Sequence, residues 1–389
     1  MSVFRRSLRR ELTHLQQDKG DRFLTFWLLP ALCLFVWWIF SAGQPEQLPI
    51  AVLDQDRSPL SRQLIRLVDA APGVAVTLSA DDSSIAVDAL RKRKVYGLLI
   101  LPKDLQNTVY QGHSAELVLQ LNSQYTTYAS TLQRGIQQAI GTAGAAISAD
   151  RLQRLGVFTD ASFATVMPVQ VLATPLYNEG PNYEVFLAAT LIPALFQILA
   201  MVLTVSAIGR ELRDGTAQDW LDTANGSVVL ALCSKLLPYG SILCLYGAGY
   251  VWFFQQLVPH SYTGSPLGIW LSFVLMNAAA MAVGVLLVAL TRNFRMALSL
   301  AGFYSAPAFA YSGQAFPLVA MPELAQNWAS ILPLTHWLKI YNQQWLAAAP
   351  VMAVKIPWLI LLAMLVLASI AGLLLLKRSG FKPENWGAR

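Results

Sequence analysis

The histidines come first among side chains that could do chemistry, and they are dispersed. His14, His113, His260 and His336 lie in separate segments, without the pairing by which imidazoles share a zinc ion. Neither G-x-S-x-G nor H-E-x-x-H occurs, so the common hydrolase and metalloprotease signatures are missing. No glycine is followed by lysine, which rules out a P-loop of the form G-x-x-x-x-G-K-[ST]. Asp54-Gln55-Asp56 is spaced like the start of a calcium loop, but Leu60, Ser61 and Arg62 stand where further ligands are needed. Asp54 reads instead as a turn residue at a strand end. The sequence therefore points to no catalytic, cofactor or metal site, and its remaining chemistry is one of contact.

That contact chemistry concentrates in Gly209-Arg210-Glu211-Leu212-Arg213-Asp214-Gly215-Thr216-Ala217-Gln218-Asp219-Trp220-Leu221, a dense run of charge between two long apolar segments. Gly215 can break a helix, Thr216 can cap a new one, and Trp220 and Leu221 give the new helix an apolar edge. The run Val185 to Ile208 before it carries no charge and is long enough to cross a bilayer, and a second apolar run starts near Lys235. A short amphipathic helix on a membrane face has little to bury against except a partner.

These residues resemble a family. Arg210-Glu211, then Gly215-Thr216 with an apolar residue soon after, and Lys235-Leu236-Leu237 beyond, look like the cytoplasmic loop of ABC-2-type transporter permeases, the membrane subunits of ABC exporters. Ser312-Gly313, Phe316-Pro317, Met321-Pro322 and Leu332-Pro333-Leu334-Thr335 are similar to that family's segment before its last transmembrane helix. The strand, turn and helix around Asp54-Gln55-Asp56-Arg57-Ser58 resemble the external domain of the drug-efflux subgroup.

The resemblance implies a permease subunit of an ATP-driven exporter that moves an amphipathic or hydrophobic compound out across a bacterial inner membrane. It implies that this chain binds no cofactor and is not itself an enzyme, that a separate ABC ATPase subunit hydrolyses the ATP, and that the permease forms a homodimer or a heterodimer with a related permease. It allows a periplasmic adaptor protein as a further partner. Arg210, Glu211, Gly215, Thr216, Trp220 and Leu221 would couple to the ATPase, and Gly313, Phe316, Pro317, Pro322, Pro333 and Thr335 would form the external segment.

Composition agrees with a membrane protein: of 389 residues 55% are hydrophobic and 13% charged, against about 25% charged in soluble proteins. The net charge of +6 could suggest nucleic acid, but lysine and arginine gather at the ends of apolar runs, as the positive-inside rule expects. Membrane lipid is the expected contact. Cys33, Cys233 and Cys244 fall in or beside apolar runs, so they cannot frame an extramembrane disulfide domain.

The expected fold is an α-helical integral membrane protein with six transmembrane helices and an inserted extracytoplasmic α/β domain. Residues 1–22 read as a cytoplasmic amphipathic helix, with Val3, Phe4, Leu8, Leu12 and Leu15 at helical spacing among arginines, lying on the anionic inner leaflet. Residues 23–43 hold the first span, which is too long and too rich in tryptophan for a cleaved signal peptide. Residues 44–182 alternate strand and helix: strands at Leu48 to Leu53, Val74 to Leu78, Val95 to Leu101 and Glu116 to Leu121, helices from Ser58-Pro59 and from Ser83 or Ser84, then a long helical stretch from Tyr125 to Leu155. Pro168, Pro175 and Pro181 lead back to the membrane.

Residues 183–311 carry spans two to five, from Val185 to Ile208, Leu236 to Val258, Leu267 to Leu290 and Ala297 to Tyr311, with the coupling loop at 209–227. Residues 312–355 form an external re-entrant segment whose Trp328, Trp337, Tyr341 and Trp345 suit a headgroup interface, with His336 in a polar interfacial role. Residues 356–389 hold the sixth span, Ile356 to Leu376, and a tail. Basic residues at alternate span ends place both termini in the cytoplasm. Two other classes compete. An ion-driven transporter would need acidic groups inside the spans, which contain none. A non-transporting membrane sensor or surface scaffold, with a ligand-binding external domain, would leave the charged loop without a purpose.

Overall fold

A computed structural model of the chain describes residues 3–43, 45–154, 182–257 and 264–380. Pro168, Pro175, Pro181, His260 and the tail beyond residue 380 lie outside them. The chain divides into two compact units, one formed by Met1–Ser41 with Tyr183–Arg389, the other by Ala42–Asn182.

The first unit opens with α1 (Val3–Gln17) and α2 (Lys19–Phe40), the latter a span-length helix with one π-turn at Leu24–Leu28. Asp18 caps the start of α2 by accepting from the Asp21 amide. The expected leaflet stripe is only half of α1: its protein-facing stripe is Ser7, Glu11 and Leu15, all buried, whereas Leu12 is exposed.

The second unit holds β1 (Leu48–Asp54), α3 (Pro59–Asp69), β2 (Val74–Ala80), α4 (Ser83–Arg91), β3 (Gly97–Leu101), α5 (Leu105–Gln111), β4 (Val118–Leu121) and α6 (Thr126–Arg154). The sheet order is β2-β1-β3-β4, with β1 parallel to both neighbours and β4 antiparallel to β3. Two βαβ crossovers produce this arrangement, and apolar side chains fill both faces. Ser58 caps α3 as its type predicts, but α4 is capped by Asp82 in place of either serine, because a carboxylate one position earlier reaches the Ser84 amide. The Asp54 carboxylate closes a turn, accepting from the amides of Asp56 and Arg57 and from the Ser61 hydroxyl.

The chain then re-enters the first unit with α7 (Glu184–Arg213), α8 (Ala217–Thr223), α9 (Val228–Leu257) and α10 (Pro266–Thr291). It continues with α11 (Phe294–Ser305), α12 (Ala308–Tyr311), α13 (Glu323–Ser330), α14 (Pro333–Ile340) and α15 (Lys355–Leu375). Among the described residues five helices are long and apolar enough to cross a membrane: α2, α7, α9, α10 and the helix built on α15. The expected span at Ala297 to Tyr311 is not among them. Pro307 supplies no amide, so α11 stops at Ser305 after 12 residues, about 18 Å at 1.5 Å per residue, which is short of a ~30 Å hydrocarbon layer.

The segment read as an interfacial one is also different. Trp337, Tyr341 and Trp345 are buried among themselves, Tyr250 and Phe273, with ring centroids 5.3–5.7 Å apart along the chain Tyr250, Phe273, Trp337, Tyr341, Trp345. They form a core and not a headgroup belt, since packed rings gain more from one another than from an interface. Pro333 begins α14, and Gln197 from α7 accepts from the Leu334 amide at 2.7 Å, satisfying a helix end inside the protein. His336 is not interfacial. It is buried, its Nε2–H donates to the Ser330 carbonyl at 2.7 Å, and burial pulls its pKa below the ordinary histidine value.

Candidate functional site: a buried charge junction

The charged run divides between two helices and the turn joining them. Arg210 and Glu211 lie in the last turn of α7, Gly215 takes φ +72° to end it, and α8 follows with Thr216 at its N-cap. Only glycine adopts that backbone without strain, so Gly215 is the break its type implies. Thr216 does not cap with its side chain. Its hydroxyl donates instead to Glu211 Oε2 at 2.5 Å, because Glu211 is the nearest anionic acceptor.

Arg210 points inward. One of its terminal nitrogens donates to Asp21 and the other to Glu11, and both lie 3.3 Å from the Tyr239 hydroxyl. Lys235 sits between two carboxylates, 2.6 Å from Glu11 Oε2 and 2.7 Å from Glu211 Oε1. Arg10 reaches Glu211 Oε2 at 2.8 Å, the Tyr239 hydroxyl donates to Glu11 Oε1 at 2.8 Å, and His14 Nε2 lies 3.1 Å from Asp21 Oδ2. Glu11, Asp21 and Glu211 are thus matched by Arg10, Arg210 and Lys235. Lys235 is 1% exposed and Glu11 3%, a burial that unpaired charges would not survive. Burial pushes the Glu11 carboxyl up, but Lys235 and Arg210 together hold it below the ordinary glutamate value.

Four helices meet here. α1 gives Arg10, Glu11 and His14, α2 gives Asp21, α7 gives Arg210 and Glu211, and α9 gives Lys235 and Tyr239. The fifth, α8, is strapped to them. Trp220 is 2% exposed, with its ring 5.1 Å from Lys235 Nζ in a cation–π contact, and Leu221 packs on the same apolar cluster. Arg6 on α1 donates to the Thr223 carbonyl at 3.1 Å and to Asn225 Oδ1 at 2.7 Å, closing the end of α8. Gly209, one residue before Arg210, lets α7 and α11 close up: a Cβ there would lie 2.5 Å from the Phe294 ring.

Of the residues singled out by sequence, Arg210, Glu211, Thr216 and Trp220 come together at this junction. Trp220 turns its ring into the protein, so it braces α8 and leaves the outward face to Asp214, Gly215, Gln218, Asp219 and Asp222, all exposed. Lys235 lies two turns inside α9, which begins at Val228, well before the expected start of that span. Sequence reasoning missed Glu11, Asp21 and Tyr239. The available signal was Glu11 itself, a carboxylate among the apolar residues of α1, which a helix lying on lipid would not bury.

The second group stays apart from the junction. Gly313 takes φ +88° and has Leu318 2.8 Å from where a Cβ would stand; Phe316 is exposed; Pro317 and Pro322 flank a short turn before α13. Thr335 is buried in α14, and its hydroxyl finds no partner among the described residues.

A family model described as ABC-2 family transporter protein matches residues 21–374. The linearmycin resistance permease protein LnrN of Bacillus subtilis (strain 168) is 22% identical over 330 residues, covering 81% of this chain and 84% of that protein. The probable multidrug ABC transporter permease YbhR of Escherichia coli (strain K12) is 22% identical over 373 residues, covering 94% of this chain and 95% of that one. The family match begins at residue 21, so Asp21 falls at its edge and the α1 side chains of the junction lie before it.

Proposed function

The chain belongs to the ABC-2 family of transporter proteins, and from that premise we propose that it is the permease subunit of an ATP-driven exporter, moving an amphipathic or hydrophobic compound outward across the bacterial inner membrane. Permeases of this family work with an ABC ATPase subunit, and the chain's multi-pass architecture suits that role. In this reading both termini are cytoplasmic, the α/β unit faces the periplasm, and two permease copies, or this chain and a related one, form the working assembly. The relatives' names, one a resistance permease and the other a probable multidrug permease, support an amphipathic cargo.

The observation that carries the proposal is the buried junction of Glu11, Asp21, Arg210, Glu211, Lys235 and Tyr239. A network of charges locked by reciprocal partners moves as one body, because separating any pair strands a charge in a low-dielectric interior. Force applied to α8 therefore passes directly to α7 and α9, both long enough to span. In the proposed mechanism the exposed face of α8, with Gln218, Asp219 and Asp222, docks on the ATPase together with Asp214 at the end of α7. Arg210, Glu211, Thr216 and Trp220 hold that face to the spans, and Leu221 seats its inner edge.

The test is uncoupling in proteoliposomes holding this chain and the ATPase that copurifies with it. Glu211→Gln keeps the shape but removes the charge facing Lys235 and Arg10. The expected result is retained ATPase binding and basal hydrolysis, with ATP-driven movement of the amphipathic dye rhodamine 6G reduced about tenfold or more relative to the parent, a loss of about 1.4 kcal/mol of coupling. Unchanged movement in the variant overturns the proposal that the junction transmits force.

A further inference from the structure

Between α2, α7 and α9 lies a cavity of about 240 Å³ whose walls include Trp37, Phe196, Tyr246, Tyr250 and Phe253, with Gly249 as a gap in one of them. Every polar end on those rings is already spent within the chain. Trp37 Nε1 donates to Glu184 Oε1 at 2.6 Å, the Tyr246 hydroxyl to the Phe26 carbonyl at 3.2 Å, and the Tyr250 hydroxyl to the Ala189 carbonyl. The Cys33 thiol also lines the cavity, but it is a weak donor and no charged side chain stands beside it, so the walls offer little to a headgroup, a sugar or an ion. Leu34, 58% exposed, borders it, and α2, α7 and α9 are all long and apolar enough to cross a membrane, so what can reach it is what dissolves in a bilayer.

Acyl chains and aromatic solutes both qualify, and the lining separates them. Aromatic walls favour a ring over a saturated chain, since ring pairs gain from edge-to-face and offset stacking beyond the area they bury. Trp37 and Phe253 already pair edge to face at 5.2 Å, and Tyr250 stacks on Phe273 at 5.3 Å, so the walls are held rigid. The volume is below the 300–1,000 Å³ range of drug-sized pockets, which suits one ring system and not a whole molecule.

We propose that this cavity between α2, α7 and α9 binds the aromatic group of an amphipathic compound drawn from the bilayer. That the compound is the exported cargo rests on the function proposed above; that the cavity takes an aromatic group does not. Gly249 is the lever. It lines the cavity, and a Cβ built on it meets no atom within 4 Å, so a larger side chain can be placed at the cavity wall without displacing a neighbour.

The experiment is photolabelling of the full chain in lipid nanodiscs, with no ATPase present, using two probes mapped by mass spectrometry. Benzophenone, an uncharged diaryl ketone, inserts into C–H bonds when irradiated; a palmitic acid bearing a terminal diazirine reports acyl chains. Benzophenone adducts should concentrate on the segment 29–37, and Gly249→Leu should lower them about tenfold, the scale of excluding a group from a filled apolar pocket. Adducts at the exposed Leu359 and Leu367 of α15 should not change. Gly249→Ala, which leaves most of the volume, should label like the parent. Leu34→Trp, at an exposed position on the rim, should also lower labelling, so the result does not depend on one variant folding. Even benzophenone labelling over all exposed apolar faces, or labelling untouched by both Gly249→Leu and Leu34→Trp, overturns the proposal. Equal or stronger cavity labelling by the palmitate probe also overturns it, and makes the cavity a lipid-chain site. Positive labelling in a chain that never binds an ATPase would keep the cavity assignment and sink the exporter reading alone.

Discussion

The Lys235 ammonium lies 2.7 Å from Glu211 Oε1, joining α9 to the end of α7 inside the protein. Glu11 shares the same ammonium from the other side at 2.6 Å, so one lysine holds three helices. Removing it leaves two carboxylates facing each other with reduced compensation. Lys235→Met should therefore lower stability by about 3–5 kcal/mol, the usual cost of breaking a buried pair, read as a fall in the detergent unfolding midpoint. Arg10 is the contrast, because its side chain is 31% exposed and its pair with Glu211 is partly solvated. Arg10→Met should cost about 1 kcal/mol or less. Equal losses in the two variants would show that burial does not govern this network.

Acid should destabilise the chain in two stages, with His336 acting in the first and Glu11 in the second. His336 has a pKa below the ordinary histidine value because it is buried. As pH falls through about 6.5 the unfolded chain takes up a proton that the folded chain refuses, so stability begins to drop there. Glu11 is held low by Lys235 and Arg210 despite its burial. Its contribution is complete above about pH 4.3 and is lost as pH falls below that value toward its folded pKa. His336→Gln should remove the first stage and Glu11→Gln should shrink the second, to which other hydrogen-bonded carboxylates such as Asp18 also contribute, each followed as unfolding midpoint against pH. A first stage unchanged by His336→Gln would reassign it.

How much of this was legible beforehand follows from how far apart the partners lie. Ser58-Pro59 announces α3 because a cap is a local signal, and β1 is readable as a short apolar run. The family motifs lead to Arg210 and Glu211. Their partners do not appear, since Glu11 is 199 residues from Arg210 and nothing local marks the pairing. Trp220 looks like an exposed anchor when only its own helix is considered, and becomes a brace once Lys235 is known to lie against it. The expected fifth span rests on an apolar run, and an apolar run does not register that Pro307 within it lacks the amide a continuous helix needs.

Sidedness is tested by placing single cysteines on exposed positions of the α/β unit and of α8, with Cys33, Cys233 and Cys244 replaced by serine. Ser84→Cys should react with a membrane-impermeant maleimide in outer-membrane-permeabilised cells, and Gln218→Cys only after lysis. The reverse pattern would invert the orientation proposed for both units.

The central claim is that an ATPase docks on the outward face of α8. Its most direct measurement is the amount of P-loop ATPase that copurifies with the full-length chain in mild detergent. The parent should retain an ATP-hydrolysing partner. A variant with Gln218, Asp219 and Asp222 each changed to Lys alters only exposed positions of α8, so it should keep the parent's unfolding midpoint while losing about tenfold or more of that partner, a change of about 1.4 kcal/mol in binding. An eluate without any ATPase, or one in which the triple variant holds its partner as well as the parent does, would contradict the account.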